Sequence, residues 1–369
     1  MASALTRTIK ARAAVRRLPQ VHHGAITPAE LARLGLRWQD VVDFSVSVNP
    51  YGPSPAVARA LEQVDLARYP DPHRDALRQA LAQQHQVLPQ QLLVGNGSAE
   101  LLWLVALAFL AAGDVALVLA PTFGEYARAA QLAGAQLIHV RSRAANNFAV
   151  DAGLVAQKLA QHQPKLLFAC HPNNPTGTLL PLEALQSWAA AHPATLFVVD
   201  EAYLPFARAA RSAHTLAAPN ILVLRSMTKA HALAGLRLGY ALGPPTIIEA
   251  LRQVQPPWSV NALAQVAGVA ALQDAAHLQR TLAALAQHKT ALVQALRARG
   301  WSPVPSATHF FLLPVADAAA QRAALLAQGV VVRDASSFGL PRHIRIATRT
   351  PAENDRLLRA LGFGPGTQP

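Results

Sequence analysis

Cysteine is almost missing from this sequence: Cys170 is the single one among 369 residues. One thiol excludes an intrachain disulfide framework and fits a reducing, cytoplasmic compartment. Long apolar runs are missing as well. The most apolar window, Leu101 to Ala112, is bracketed by Glu100 and Asp114. It falls short of the roughly 20 residues that span a bilayer and predicts a buried core helix in a soluble protein. The start carries Arg7, Lys10, Arg12, Arg16 and Arg17 with no acidic residue between them. No apolar stretch of about 7–15 residues follows, so a secretory signal is excluded, and a loose basic extension is preferred to an organelle-targeting leader. His22, His23, His171 and Asp200 are too scattered to suggest a metal centre, and no His-Glu-x-x-His pair is present.

Acidic residues are few, 20 against 33 basic ones, which leaves a formal net charge of +13. The excess is mostly arginine scattered through helical stretches. No zinc-finger spacing, RNA-binding signature or aromatic-basic stripe gives it a groove to sit in, so nucleic acid is not expected as a partner. Attraction of small acidic substrates accounts for the charge equally well. Charged and aromatic residues together make up a fifth of the chain, 14% and 6%, while 52% is hydrophobic. A chain of this length and composition buries a sizeable core and argues against disorder.

What is present is an alternation. From about residue 90 to 243, short β-rich runs (Leu92–Val94, Val115–Leu119, Leu137–Val140, Leu166–Ala169, Leu196–Val199, Ile221–Leu224, Leu238–Leu242) are separated by helical stretches. Several runs are continuously apolar, as strands covered on both faces are. This predicts an α/β fold with a mostly parallel sheet between helices, whose ligands bind beyond the carboxyl ends of the strands. Helical stretches Val260–Ala271 and Ala276–Arg299, then strands near Phe310–Leu313, Val330–Val332 and Ile344–Ala347, predict a smaller α+β domain. The expected division is residues 1–60 as an extension and arm joining the small domain, 61–256 as the large domain and 257–369 as the small one, with Pro256-Pro257 as the joint.

Four polar motifs follow predicted strands. Ser226-Met227-Thr228-Lys229 leads to Gly235-Leu236-Arg237-Leu238-Gly239. Alone, a lysine there is more often a solvated loop residue than a nucleophile. Asp200-Glu201-Ala202-Tyr203 closes the preceding strand; its aspartate would suit a helix cap, a metal ligand or a protonated ring nitrogen. His171-Pro172-Asn173-Asn174-Pro175-Thr176-Gly177 reads as a rigid turn or as an amide aimed at a ligand. Gly95-Asn96-Gly97-Ser98-Ala99-Glu100 opens a helix whose free N–H groups suit a phosphate. Each is weak evidence by itself; their order along one chain is not.

With these motifs, the sequence resembles fold-type I enzymes dependent on pyridoxal 5'-phosphate (PLP), in the class I/II aminotransferase branch, from about Val41 to Leu361. The resemblance implies PLP as cofactor and Lys229 as the lysine to which it is covalently bound. It implies Asp200 on the pyridine nitrogen, Asn174 and Tyr203 on the ring's phenolic oxygen, and Tyr126, in Pro121-Thr122-Phe123-Gly124-Glu125-Tyr126, stacked on the ring. Ser98, Ala99, Ser226 and Arg237 would take the phosphate. Tyr69, in Arg68-Tyr69-Pro70-Asp71, looks like the tyrosine that reaches a neighbouring subunit's site, which implies a homodimer. Arg345 would hold a substrate carboxylate, and Arg333 with His23-Gly24 a substrate phosphate. Ser47, in Ser45-Val46-Ser47-Val48-Asn49, stands where relatives carry a substrate-contacting asparagine.

Two reactions compete within that branch. Decarboxylation and transamination differ in which bond at the substrate's Cα is held perpendicular to the cofactor ring, so the anchors of the substrate's charged ends decide. His23-Gly24, Asp43-Phe44-Ser45, Leu224–Lys229 and above all Pro257-Trp258-Ser259-Val260-Asn261-Ala262-Leu263-Ala264 resemble the threonine-phosphate decarboxylases of cobalamin biosynthesis. The expectation is therefore decarboxylation of O-phospho-L-threonine to aminopropanol phosphate. The alternative is an aminotransferase acting on histidinol phosphate or a related amino compound.

Overall fold

A computed structural model describes residues 9–16, 18 and 24–364. Twelve strands occur among them: β1 (Val42–Asp43), β2 (Leu92–Asn96), β3 (Val115–Ala120), β4 (Gln136–Arg141), β5 (Leu166–Cys170), β6 (Leu196–Asp200), β7 (Ile221–Ser226), β8 (Leu238–Leu242), β9 (Phe310–Pro314), β10 (Val330–Val331), β11 (Arg333–Asp334) and β12 (His343–Ala347). All seven runs read from the sequence between 90 and 243 join one sheet, in the order β2-β8-β7-β6-β5-β3-β4. Only β8 runs against its neighbours. β5 and β6 are buried along their whole length, as continuously apolar strands with a helical layer on each face must be.

Alternation divides the sheet's side chains between two cores. Leu167, Ala169, Phe197 and Val199 face one layer; Leu166, Phe168, Leu196 and Val198 face the other. This period of two also sends the side chains just beyond the strand ends to opposite faces, which matters for Asp200 and Glu201 below. β9, β11 and β12 form a separate antiparallel sheet in the order β11-β12-β9. It packs with the helices Ala275–Ala298 and Pro351–Leu361 around Phe44, Leu296, Phe311, Ile346 and Leu357. The architecture is the α/β arrangement expected, a mostly parallel sheet between helical layers beside a smaller antiparallel sheet.

The chain beyond Pro256-Pro257 contributes to both cores. The helix Ala262–Gln273, capped by Asn261 whose Oδ1 accepts from the Ala264 N–H at 2.8 Å, buries Ala264, Ala267 and Ala271 in the core of the large sheet. Small alanines let it lie close to the helices Pro55–Leu61 and Asp75–His85. The prolines punctuate the chain without ending the packed unit. The arm is divided too: Val57 belongs to the large core, whereas Val42 and Asp43 pair in parallel with Val330 and Val331. No helix among the described residues is long and apolar enough to cross a membrane.

Candidate active site

The motifs converge at one edge of the seven-stranded sheet because the strands carrying them run in parallel. Lys229 follows β7, Asp200 ends β6, Asn174 follows β5, and the helix Gly97–Phe109 starts where β2 stops. They enclose a cavity of about 110 Å³ lined by Ser98, Ala99, Phe123, Tyr126, Cys170, Asn174, Asp200, Tyr203, Ser226, Thr228, Lys229 and Arg237. It opens into a larger one of about 810 Å³ that shares Asn174, Tyr203, Lys229 and Arg237 and adds Gly24, Ser47, Arg333 and Arg345.

One end of the small cavity is built for an anion. Gly97 has φ +74°, a left-handed conformation that glycine adopts freely, and it turns β2 into the helix whose first N–H groups lie beside Ser98 and Ala99. Gly239 permits the approach of β8: a Cβ there would lie 2.5 Å from the Ser98 nitrogen. The Ser226 and Thr228 hydroxyls are 2.7 Å apart, and Arg237 reaches over from the exposed side. Helix N–H groups, two hydroxyls and a guanidinium suit a phosphate.

The other end holds a buried acid. Asp200 receives the Tyr126 hydroxyl on Oδ2 at 2.8 Å and the Ala202 N–H on Oδ1 at 3.0 Å. Burial pushes its pKa up, and the two donors oppose that. Lys229 lies between the two ends. Burial, then the Arg345 and Arg237 charges, lowers its amine to about 8, so a useful fraction is unprotonated and nucleophilic near neutrality. The arm fixes this lysine: the Asn49 N–H donates to the Lys229 carbonyl at 3.0 Å, and the Asn49 amide to the Ala230 carbonyl at 3.0 Å.

The small sheet supplies the cations of the larger cavity. Arg333 and Arg345 are direct partners across β11 and β12. Arg345 is 5% exposed and stands over the Phe310 ring at 5.3 Å. Its guanidinium donates to Asn174 Oδ1 and, at 2.7 Å, to the Ser45 carbonyl. Its Nε has no hydrogen-bond partner among the described residues. Those two acceptors are neutral, and the nearby Asp43 carboxylate acts on the guanidinium only through its charge. Arg333 donates to Ser337 Oγ at 2.6 Å, and burial followed by the Arg345 charge lowers it to about 10.

Most residues expected at the site are brought together, with specific exceptions. Tyr126 is not a free face over the cavity: its ring stacks on Phe168 at 5.6 Å and 1°, while its hydroxyl is taken by Asp200. Phe123, edge-on to Tyr126 at 5.7 Å, lines both cavities instead. Tyr69 lines neither; it is 80% exposed and leans on Trp258 at 4.8 Å. Ser47 is buried, its hydroxyl unpartnered among the described residues and turned toward Tyr203. Gly24 passes so near the arm that a Cβ would meet the Ser45 carbonyl at 2.6 Å. His23 lies outside the described residues. Thr228, within Ser226–Lys229, and Phe123, within Pro121–Tyr126, also line the small cavity. Cys170 is buried as expected of a core residue and also forms part of the cavity wall.

A family model described as aminotransferase class I and II matches residues 39–361. Histidinol-phosphate aminotransferase from Symbiobacterium thermophilum is 38% identical over 357 residues, 95% of this chain and 97% of that one. Other relatives at 35–37% identity bear the same name. The crystal structure of histidinol-phosphate aminotransferase from Sinorhizobium meliloti in complex with PLP superposes with a TM-score of 0.85 at 26% identity, covering 97% of each chain. L-threonine-O-3-phosphate decarboxylase from Porphyromonas gingivalis gives 0.75 at 29% identity, over 86% of this chain and 97% of its own.

These relatives overturn the decarboxylase expectation. The stretch that weighed most for it, Pro257–Ala264, lies away from Lys229: Trp258 packs on Tyr69 at the surface, and no residue of the stretch lines either active-site cavity. By the span of the match and the depth of the identity, the chain belongs to the class I and II aminotransferases, and its cofactor is pyridoxal phosphate.

Proposed function

We propose that this enzyme is an aminotransferase acting on histidinol phosphate or a closely related phosphorylated amino compound, with a keto acid as amino acceptor. The observation that carries the reading is Arg345: a buried guanidinium beside Lys229 with neutral acceptors only. A buried charge is costly unless paired, and an anionic substrate group completes it. Transamination needs one site to admit two anionic substrates in turn. The adjacent Arg333 and Arg345 offer planar forks that fit a carboxylate or a phosphate with parallel hydrogen bonds.

When bound, PLP supplies the electron sink and carries the amino group between the two substrates. Ser98, Ala99, Ser226, Thr228 and Arg237 hold its phosphate end. Asp200 would hold the ring nitrogen, Asn174 and Tyr203 the phenolic oxygen, and Phe123 would cover the ring. Lys229 would be the covalent anchor and, as a free amine, would hold and move the proton at the substrate's Cα. Arg345 and Arg333, with Gly24, Ser47 and the His23 segment, set the substrate's orientation. The division of labour is between a cofactor-holding unit built on the large sheet and a smaller unit that carries both arginines.

The same reading includes a homodimer with shared sites, located in the cytoplasm. Tyr69, Trp258 and Leu66 expose apolar surface on one side of the chain, at 80%, 46% and 77%, and Tyr69 has no place in its own chain's cavity. A single buried cysteine fits a reducing compartment. Steady-state assay of the PLP-loaded enzyme with L-histidinol phosphate and 2-oxoglutarate tests the function. Glutamate formation dependent on both substrates is expected; sustained release of CO₂ from a phospho-amino acid without a keto acid would refute it.

A further inference from the structure

The buried groups behind the cofactor cavity form a cluster whose role the proposed function leaves open. Tyr126 and Cys170 meet Asp200 on the face of the sheet that also holds Phe168. Cys170 is the direct cross-strand partner of Asp200, and its thiol donates to the Pro172 carbonyl at 3.2 Å. That leaves Tyr126 as the side chain that donates to the carboxylate, at 2.8 Å. Its ring is 1% exposed and fixed on two sides, stacked on Phe168 and edge-on to Phe123. The hydroxyl is therefore delivered to Asp200 by packing.

We propose that Tyr126 is a positioning residue for Asp200: its hydroxyl holds the carboxylate in its anionic form, aimed at the cofactor's ring nitrogen, and so keeps that nitrogen protonated. This rests on the reading of Asp200 as the ring nitrogen's partner. A carboxylate has two oxygens and about four acceptor positions. Ala202 N–H occupies one on Oδ1 and Tyr126 one on Oδ2, which leaves room for the ring N–H. The titratable groups facing Asp200 are Tyr126 from the helix Glu125–Leu132, Cys170 from β5, Tyr203 and Glu201 beside it, and Lys229 from beyond β7. Burial pushes the Tyr126 hydroxyl well above its ordinary range, so it stays a donor wherever the enzyme works.

Without that donor the buried carboxylate is more basic. The proton shared with the ring nitrogen then moves onto Asp200, with no net change in protons, and the ring withdraws electrons less strongly. The cofactor–lysine linkage becomes more basic, and removal of a substrate proton becomes slower.

The test uses the PLP-loaded Tyr126→Phe enzyme, which loses one oxygen and keeps the packed ring. Visible absorbance of the bound cofactor is titrated with pH in the absence of substrate. The midpoint is expected to rise by about one pH unit, with kcat falling about 10- to 100-fold and KM changing little, the scale of a lost hydrogen bond to a charged group. A ¹⁵N-labelled cofactor should show its ring nitrogen shifted toward the unprotonated value. If Tyr126→Phe loads poorly, 3-fluorotyrosine at position 126, a stronger donor, should move the midpoint down. An unchanged midpoint and nitrogen shift in either protein would overturn the proposal and leave Tyr126 a packing residue. Asp200→Asn separates the two levels. If it alters neither spectrum nor rate, the cofactor reading of Asp200 fails; if it alters both while Tyr126→Phe alters neither, only the positioning role fails.

Discussion

Asp200 and Glu201 are neighbours in the chain, both buried, and sit at the same strand end on opposite faces of the sheet. Glu201 has an ion-pair partner and two donors: Arg225 Nε lies 2.7 Å from Oε2, the Ser212 hydroxyl donates to Oε2 at 2.6 Å, and the Ala213 N–H to Oε1 at 2.6 Å. Around it His214 meets the same Ser212 hydroxyl, and His85 contacts the Tyr240 hydroxyl at 2.8 Å. Burial, with the Arg225 charge next, lowers His85 to about 3, so that network keeps its histidine neutral. Asp200 has two neutral donors and a lysine across the cavity. Arg345 mirrors it with neutral acceptors. One face of the strand end carries an acid paired with an arginine of the same chain, and the other carries an acid that receives only the Tyr126 hydroxyl and the Ala202 N–H. A buried group paired by its own chain holds structure together; a buried charge left incomplete marks where binding energy is to be collected.

The largest break of this contrast comes at Lys229. Lys229→Ala should abolish turnover and the visible absorbance of the covalently bound cofactor while the fold remains, as circular dichroism would show. Next is Arg345→Met, which removes an incompletely paired buried charge and keeps the volume. It should lower kcat/KM by about 100- to 1,000-fold through the lost charged hydrogen bonds to substrate. In the same protein stability should hold or rise by about 1–3 kcal/mol, and PLP affinity should stay close to that of the parent. The paired face should answer in the opposite sense. Glu201→Ala strands Arg225 and should cost about 3–5 kcal/mol in denaturant unfolding, and replacing both partners with apolar residues should recover most of that.

The smallest effect concerns pH. A lysine lowered on folding to about 8, from its ordinary 10.5, binds fewer protons folded than unfolded between those values. Stability of the cofactor-free enzyme therefore gains from this group as pH rises through that window, and the penalty is fully present below it. Reloading of cofactor-free enzyme with PLP needs the free amine. Its rate should rise about tenfold for each unit up to pH 7 and level off above about pH 8. A reloading rate flat from pH 6 to 9 would mean that Lys229 is not held as described.

The gathering of residues around the small cavity was legible in the sequence because they sit in short motifs at strand ends, where the parallel sheet brings them together by topology. Lys229, Asp200, Asn174 and Ser98 needed no knowledge of side-chain direction. The direction of the Tyr126 ring was not legible: which way an aromatic in a first helical turn points depends on Phe168, 42 positions away on β5. The pairing of Val42 with Val330 and the attachment of Ala262–Gln273 to the large core are also long-range choices with no local signature. The choice of reaction was the least legible. The stretch that looked diagnostic, around Trp258, lies at the surface, and the relatives that match the whole chain are histidinol-phosphate aminotransferases.

The most direct measurement is a single-turnover experiment: enzyme loaded with PLP, no keto acid, and an excess of L-histidinol phosphate, with the oxo product and CO₂ counted per site. Transamination predicts one oxo product per site and then a halt, with no CO₂, and turnover resuming when a keto acid is added. Continued product formation without a keto acid, or no reaction at the cofactor at all, would contradict it.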